Sequence, residues 1–114
     1  MTAAHRRLAA ARAAADEDPA AALSAAYYAM LYAARAALSE REGHSRTHRG
    51  TWHEFRLAFV ESGEIDPALS AAVQRVQPER EQADYEAWPA SRDDADRVID
   101  LAADFVTAVE AALA

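Results

Sequence analysis

Apolar residues recur along most of this chain at intervals of three and four, the spacing that lines one face of an α-helix. The clearest stripe is Leu23, Tyr27, Met30, Leu31, Ala34 and Leu38. Asp18-Pro19 stands before it, an N-cap residue followed by proline at the first helical position. Gly43 stands after it, a residue suited to the left-handed turn that ends helices. The pattern predicts a helix from Pro19 to about Arg41. A shorter helix is predicted ahead of it, from Ala3 to Ala15, carrying Leu8 among alanines and closing at Asp16-Glu17-Asp18.

Beyond a loop from Gly43 to Arg46, a third helix is predicted from Thr47 to Glu61, with Trp52, Phe55, Phe59 and Val60 on its apolar side. Ser62-Gly63 closes it. Asp66-Pro67 repeats the earlier start signal and opens a fourth helix, with Leu69, Val73 and Val76 turned inward. Pro78 interrupts that run, because an interior proline removes a hydrogen bond and crowds the preceding turn. Either a kink near Val76-Gln77 or two abutting helices should result, the second carrying Arg80 to Tyr85. Trp88-Pro89 ends this region. Ser91-Arg92-Asp93-Asp94 has the form of a capping box with aspartate in the usual glutamate position. The last helix should reach about Ala112 on Val98, Leu101, Phe105, Val106 and Val109. Nothing alternates with the period of a strand. The expected fold is all-α, an antiparallel up-and-down bundle of four or five helices, with residues 1–114 as one domain.

Composition changes this picture in one respect. The chain is 52% hydrophobic, but much of that is alanine, which favours helix and contributes little apolar area. A lone protomer should have a thin core, so covering a helical face in a homodimer is expected. A formal charge of −7 argues against a general nucleic-acid binder that relies on neutralising phosphates. All twelve basic side chains are arginine, which carries no functional weight here. There is no cysteine, so disulfides and thiolate metal sites are excluded. No apolar run nears the roughly 20 residues of a membrane span, and no signal-peptide core stands out. A soluble cytoplasmic protein is the default expectation.

Three groups could carry chemistry. Tyr28, Tyr32 and Arg35 fall at i, i+4 and i+7 and so share one helical face. Tyrosines there are most simply packing residues, but phenols with a guanidinium also make a wall for a planar or anionic ligand. Arg80 and Asp84 lie one turn apart with Tyr85 beside them, a group that fits a bundle-fixing network or a ligand-recognition site. The stretch from Arg41 to Arg56 holds four arginines against two glutamates, and also His44, His48 and His53. A phosphate near Thr47, His48 and Arg49 would profit from a helix N-terminus; a solvated polar turn is the plain alternative. Gly50 is unusual that early in a helix, as glycine costs about 1 kcal/mol there relative to alanine. Close approach of another helix or a ligand would account for it. The histidine spacings complete no metal site, and neither metal nor cofactor is expected.

These segments together resemble the HEPN superfamily, and within it a stand-alone prokaryotic branch. The resemblance rests on Tyr27-Tyr28-Ala29-Met30-Leu31-Tyr32-Ala33-Ala34-Arg35, on Thr47-His48-Arg49-Gly50 followed by Phe55 and Phe59, and on Arg80 with Ala83-Asp84-Tyr85. It implies a helical bundle that forms two-fold dimers with the functional cleft near the junction. It also implies a minimal nucleotidyltransferase as partner, a toxin–antitoxin-like setting, and a nucleotide or RNA phosphate as ligand. Ribonuclease members carry an arginine followed four to six residues later by a histidine. Here Arg80 matches the arginine, Asp84 and Tyr85 stand downstream, and no histidine follows His53. The leading expectation is therefore a binding module rather than an enzyme, with Arg80, Asp84, Tyr85, Tyr28, Tyr32, Arg35, His48 and Arg49 as ligand contacts. The alternatives are a metal-independent ribonuclease toxin using Arg80 with Tyr85 or His48, and a purely structural interaction domain.

Overall fold

The computed structural model describes the backbone of residues 1–41, 47–85 and 90–114 and the side chains of 1–41, 47–81 and 90–114. Within these the chain forms α1 (Thr2–Ala14), α2 (Pro19–Glu40), α3 (His48–Phe55) with a π-helical turn (Arg56–Val60), α4 (Pro67–Gln74), α5 (Val76–Tyr85) and α6 (Arg92–Leu113). No strand occurs among the described residues. Gly43, His44, Arg46 and the Trp88-Pro89 stop lie outside them.

The local start signals act as their chemistry requires. Asp18 accepts a hydrogen bond from the Ala21 amide at 3.1 Å, and Asp66 accepts one from the Ala68 amide at 2.9 Å. Ser91 and Asp94 form the reciprocal capping box, each side chain accepting from the other's backbone amide at 3.0 Å. Those amide bonds hold the Asp94 carboxyl below the usual carboxylate range. Pro78 produces two abutting helices rather than a kink. α4 ends at Gln74 and α5 restarts at Val76, which puts Pro78 in a first turn, where its missing N–H is not needed.

The third helix departs from the expected uniform run to Glu61. After Phe55 it widens into the π-helical turn, where the Glu61 amide reaches the Arg56 carbonyl at 2.9 Å. Phe59 stays fully buried while Leu57 is turned to solvent. Gly63, at φ 84°, then reverses the chain and lets the Ile65 amide reach the Phe59 carbonyl at 2.9 Å.

α2 is the axis of the molecule, with α1 and α6 packed along one side and α3 and α5 against the other. A helix surrounded in this way must be apolar nearly all round, and α2 buries Ala22, Leu23, Ala26, Tyr27, Ala29, Met30, Leu31, Ala33, Ala34, Ala37 and Leu38. Its alanines meet α1 through Ala4, Leu8 and Ala11, and α6 contributes Ala95, Val98, Ala102, Phe105 and Val109. None of the described helices is long and apolar enough to cross a membrane.

Candidate functional site

Tyr27 and Tyr28 are neighbours in sequence, so α2 points them about 100° apart. Tyr27 is fully buried and Tyr28 partly so. α3 is started by Thr47, whose hydroxyl caps the Gly50 amide at 2.9 Å, and this sets His48 at the first helical position facing α2. The Gly50 amide is thereby engaged in the cap. α5 brings Gln77 and Arg80 to the same place.

The Tyr27 hydroxyl is the hub. It accepts from Trp52 Nε1 at 3.1 Å, donates to Gln77 Oε1 at 3.3 Å, and lies 3.3 Å from His48 Nδ1. A phenol has one proton and two lone pairs. With the proton on Gln77 and one lone pair on Trp52, the third contact is made when His48 carries its proton on Nδ1 and donates. That tautomer leaves Nε2 as the acceptor nitrogen. Gln77 Nε2 in turn donates to Glu81 at 3.3 Å, which fixes the carboxamide's orientation. Burial pushes the Tyr27 phenol above its ordinary pKa, against the bond from Trp52 and the nearby Arg80. Burial, with the Arg80 and Arg35 guanidiniums, pulls the His48 imidazole below its ordinary value. His48 is therefore neutral at pH 7.

Arg80 covers this hub. Its guanidinium lies 5.3 Å from the Tyr27 ring centroid and 5.4 Å from that of Tyr28, and Nη1 donates to the Tyr28 hydroxyl at 3.4 Å. The His48 ring stands edge-on to Tyr28 at 5.8 Å. The structure thus brings Arg80, Tyr28 and His48 into one seam between α2, α3 and α5.

The other sequence candidates are distributed around this seam. Tyr32 lies 6.1 Å from Tyr28 and faces α1, where the Arg7 guanidinium sits 5.5 Å from its ring. Arg35 Nε donates to the Thr51 hydroxyl at 3.3 Å, tying α2 to α3. Arg49 opens on the far side of α3, into a groove that it shares with Trp52, Gln74 and Gln77. Asp84 and Tyr85 have their backbone in α5, but their side chains lie outside the described residues. Among the described residues no group of three histidine or acidic side chains could hold a metal ion.

Sequence reasoning placed Tyr27 and Trp52 in the apolar stripes and overlooked Gln77 and Arg7. One signal was available. A buried tyrosine and a buried tryptophan each need a polar partner, so a Tyr-Tyr pair with one ring turned inward calls for a donor or acceptor in the core.

The family model described as HEPN domain matches residues 1–112. A protein of Methanocaldococcus jannaschii named "Putative toxin MJ0142" is 32% identical over 65 residues, which is 57% of this chain. The chain spans 44% of the length of that curated relative. No solved structure matches.

Proposed function

The chain belongs to the HEPN domain family, and on that premise we propose that it is a dimerising binding module of a toxin–antitoxin-like system. In this reading it acts with a nucleotidyltransferase-type partner protein and recognises a nucleotide or RNA phosphate. The observation that carries the reading is the seam, where a guanidinium is held over two phenols beside a neutral imidazole. Such a group supplies fixed positive charge and hydrogen-bonding edges on a preorganised support. The similarity to a protein named as a toxin supports the setting. Two-fold pairing along helical faces would extend the seam across a junction and cover alanine-rich surface.

Titrating nucleotides calorimetrically tests the ligand. Binding heat is expected from the native chain and should fall at least about tenfold in affinity with Arg80→Gln, provided circular dichroism shows the fold retained. Pull-down from the source cell tests the partner. Recovery of the chain alone, with no heat from any nucleotide, would leave the structural-domain alternative standing.

A second reading is favoured by His48. The ribonuclease pattern lacks its histidine after Arg80, yet α3 delivers one to the same seam with Nε2 as acceptor. A neutral imidazole there could take a proton from an RNA 2′-hydroxyl while Arg80 steadies the phosphate. This reading predicts growth arrest and RNA cleavage on overexpression, relieved equally by His48→Gln and Arg80→Gln. Intact RNA under those conditions would reject it.

A further inference from the structure

The seam accounts for Arg80, Tyr28 and His48, but not for the groove behind it. That groove lies between α3 and the α4–α5 junction, encloses about 450 Å³, and is within the size range of small-ligand sites. One wall carries Arg49, His53 and Arg56 at i, i+4 and i+7 of the third helix. The other carries Gln74, Gln77 and Glu81. In a chain of net charge −7, this wall gathers two guanidiniums and an imidazole opposite one carboxylate.

The charges already in use narrow the ligand. Arg56 is paired with Glu61 at 2.9 Å, and Glu81 accepts from Gln77 and lies 3.9 Å from Arg80. Arg49 makes no hydrogen bond or ion pair among the described residues, and neither does the exposed Gln74 side chain. The depression beside α6 offers a contrast. There Arg75 and Arg97 meet Glu79, Asp100 and Asp104, and Arg97 is tied to Glu79, so its charge is internally compensated. In the groove, by contrast, the Arg49 guanidinium has no carboxylate bonded to it among the described residues.

We propose that this groove binds a phosphomonoester dianion, held by Arg49 and Arg56, with the Gln74 carboxamide contacting the group that carries it. This rests on the nucleotide or RNA ligand of the preceding reading and adds to the Arg80 seam a second wall that takes the terminal phosphate. Trp52 and Gln77 line the groove and also bond Tyr27, so the two sites share a partition. A phosphomonoester could come from a free nucleotide or from the 5′ end of an RNA, and the chemistry is the same.

The test is calorimetry of the full chain with inorganic phosphate, adenosine 5′-monophosphate, and one short RNA carrying either a 5′-phosphate or a 5′-hydroxyl. Arg49→Gln should weaken phosphomonoester binding at least about tenfold and Gln74→Ala a few-fold. Arg6→Gln, on the depression beside Tyr32, should leave it unchanged. Preference for the mononucleotide identifies the free ligand as the source; preference for the 5′-phosphorylated RNA identifies the chain end. Equal binding of the 5′-hydroxyl RNA overturns the phosphomonoester assignment. Loss with Arg80→Gln but not with Arg49→Gln overturns the groove and leaves the seam reading standing. No binding of any probe overturns both.

Discussion

The two sides of α2 are closed by different means. Toward α1 and α6 the contact is made by alanines and aliphatic side chains, including Ala4, Ala11, Ala26, Ala33, Ala37, Ala95, Val98, Ala102 and Val109, all fully buried. Toward α3 and α5 it is made by rings and polar groups: Tyr27, Trp52, His48, Gln77 and Arg80. Small side chains let helix axes approach closely and demand only that nothing larger intrude. The aromatic side is held by directed bonds, so the placement of each group depends on its partners. The first arrangement fills space; the second anchors the core through its rings and also sets chemical groups in place.

The largest effect should come from the aromatic cluster beneath the hub. Phe55 is fully buried, stacked 5.0 Å from Phe59 and 5.3 Å from Phe105. Phe55→Ala should cost about 3–5 kcal/mol in urea unfolding. On the alanine side, Ala33→Leu should cost about 1–3 kcal/mol by overpacking. A larger loss from Ala33→Leu than from Phe55→Ala would reverse the comparison.

Tyr27→Phe sharpens it. The ring's volume is kept, but Trp52 Nε1 and Gln77 lose their shared partner inside the protein. About 1–3 kcal/mol of stability should be lost, with a change in tryptophan fluorescence near the seam. An unchanged midpoint would mean that the hub's bonds are dispensable.

His48 gives a pH signature. Its folded pKa lies below the unfolded value of about 6.5. The unfolded chain therefore takes up the proton first, so this contribution is complete above about pH 6.5 and is lost as pH falls below it. The thermal midpoint should decline from pH 7 toward pH 5, and His48→Gln should flatten that decline. A wild-type midpoint that rises over this interval would contradict the half-buried neutral imidazole.

The smallest effect belongs to the exposed Arg41–Glu64 pair. Its two hydrogen bonds, 2.6 and 3.2 Å long, raise the Arg41 pKa and lower that of Glu64. Arg41 also lies 4.6 Å from the Phe59 ring centroid. Arg41→Gln should shift the midpoint slightly at low salt and less at high salt, because exposed pairs are screened. A large, salt-independent shift would move weight to the ring contact.

Much of the helical frame was legible because its signals are local. Asp18-Pro19, Asp66-Pro67 and Ser91 with Asp94 act within three residues, and the apolar stripes give the buried faces directly. The π-helical turn was not legible, since Phe55 and Phe59 keep an ordinary spacing while the backbone between them widens. The candidate site was legible in part. Arg80, Tyr28 and His48 were singled out by residue type, yet nothing in their spacing tells which lie together. Tyr32 and Arg35 share the face of Tyr28 in sequence but make their contacts with different helices.

The order of residues alone determined the helices, their caps and the apolar face of each, because those follow from bonds and periodicity within a few residues. Only the packed bundle decided that Tyr27, rather than Tyr28, is the hub, and that His48 comes to Arg80 from another helix. Contacts 21 to 52 residues apart in the chain depend on how helices cross, and crossing is settled by the whole core at once.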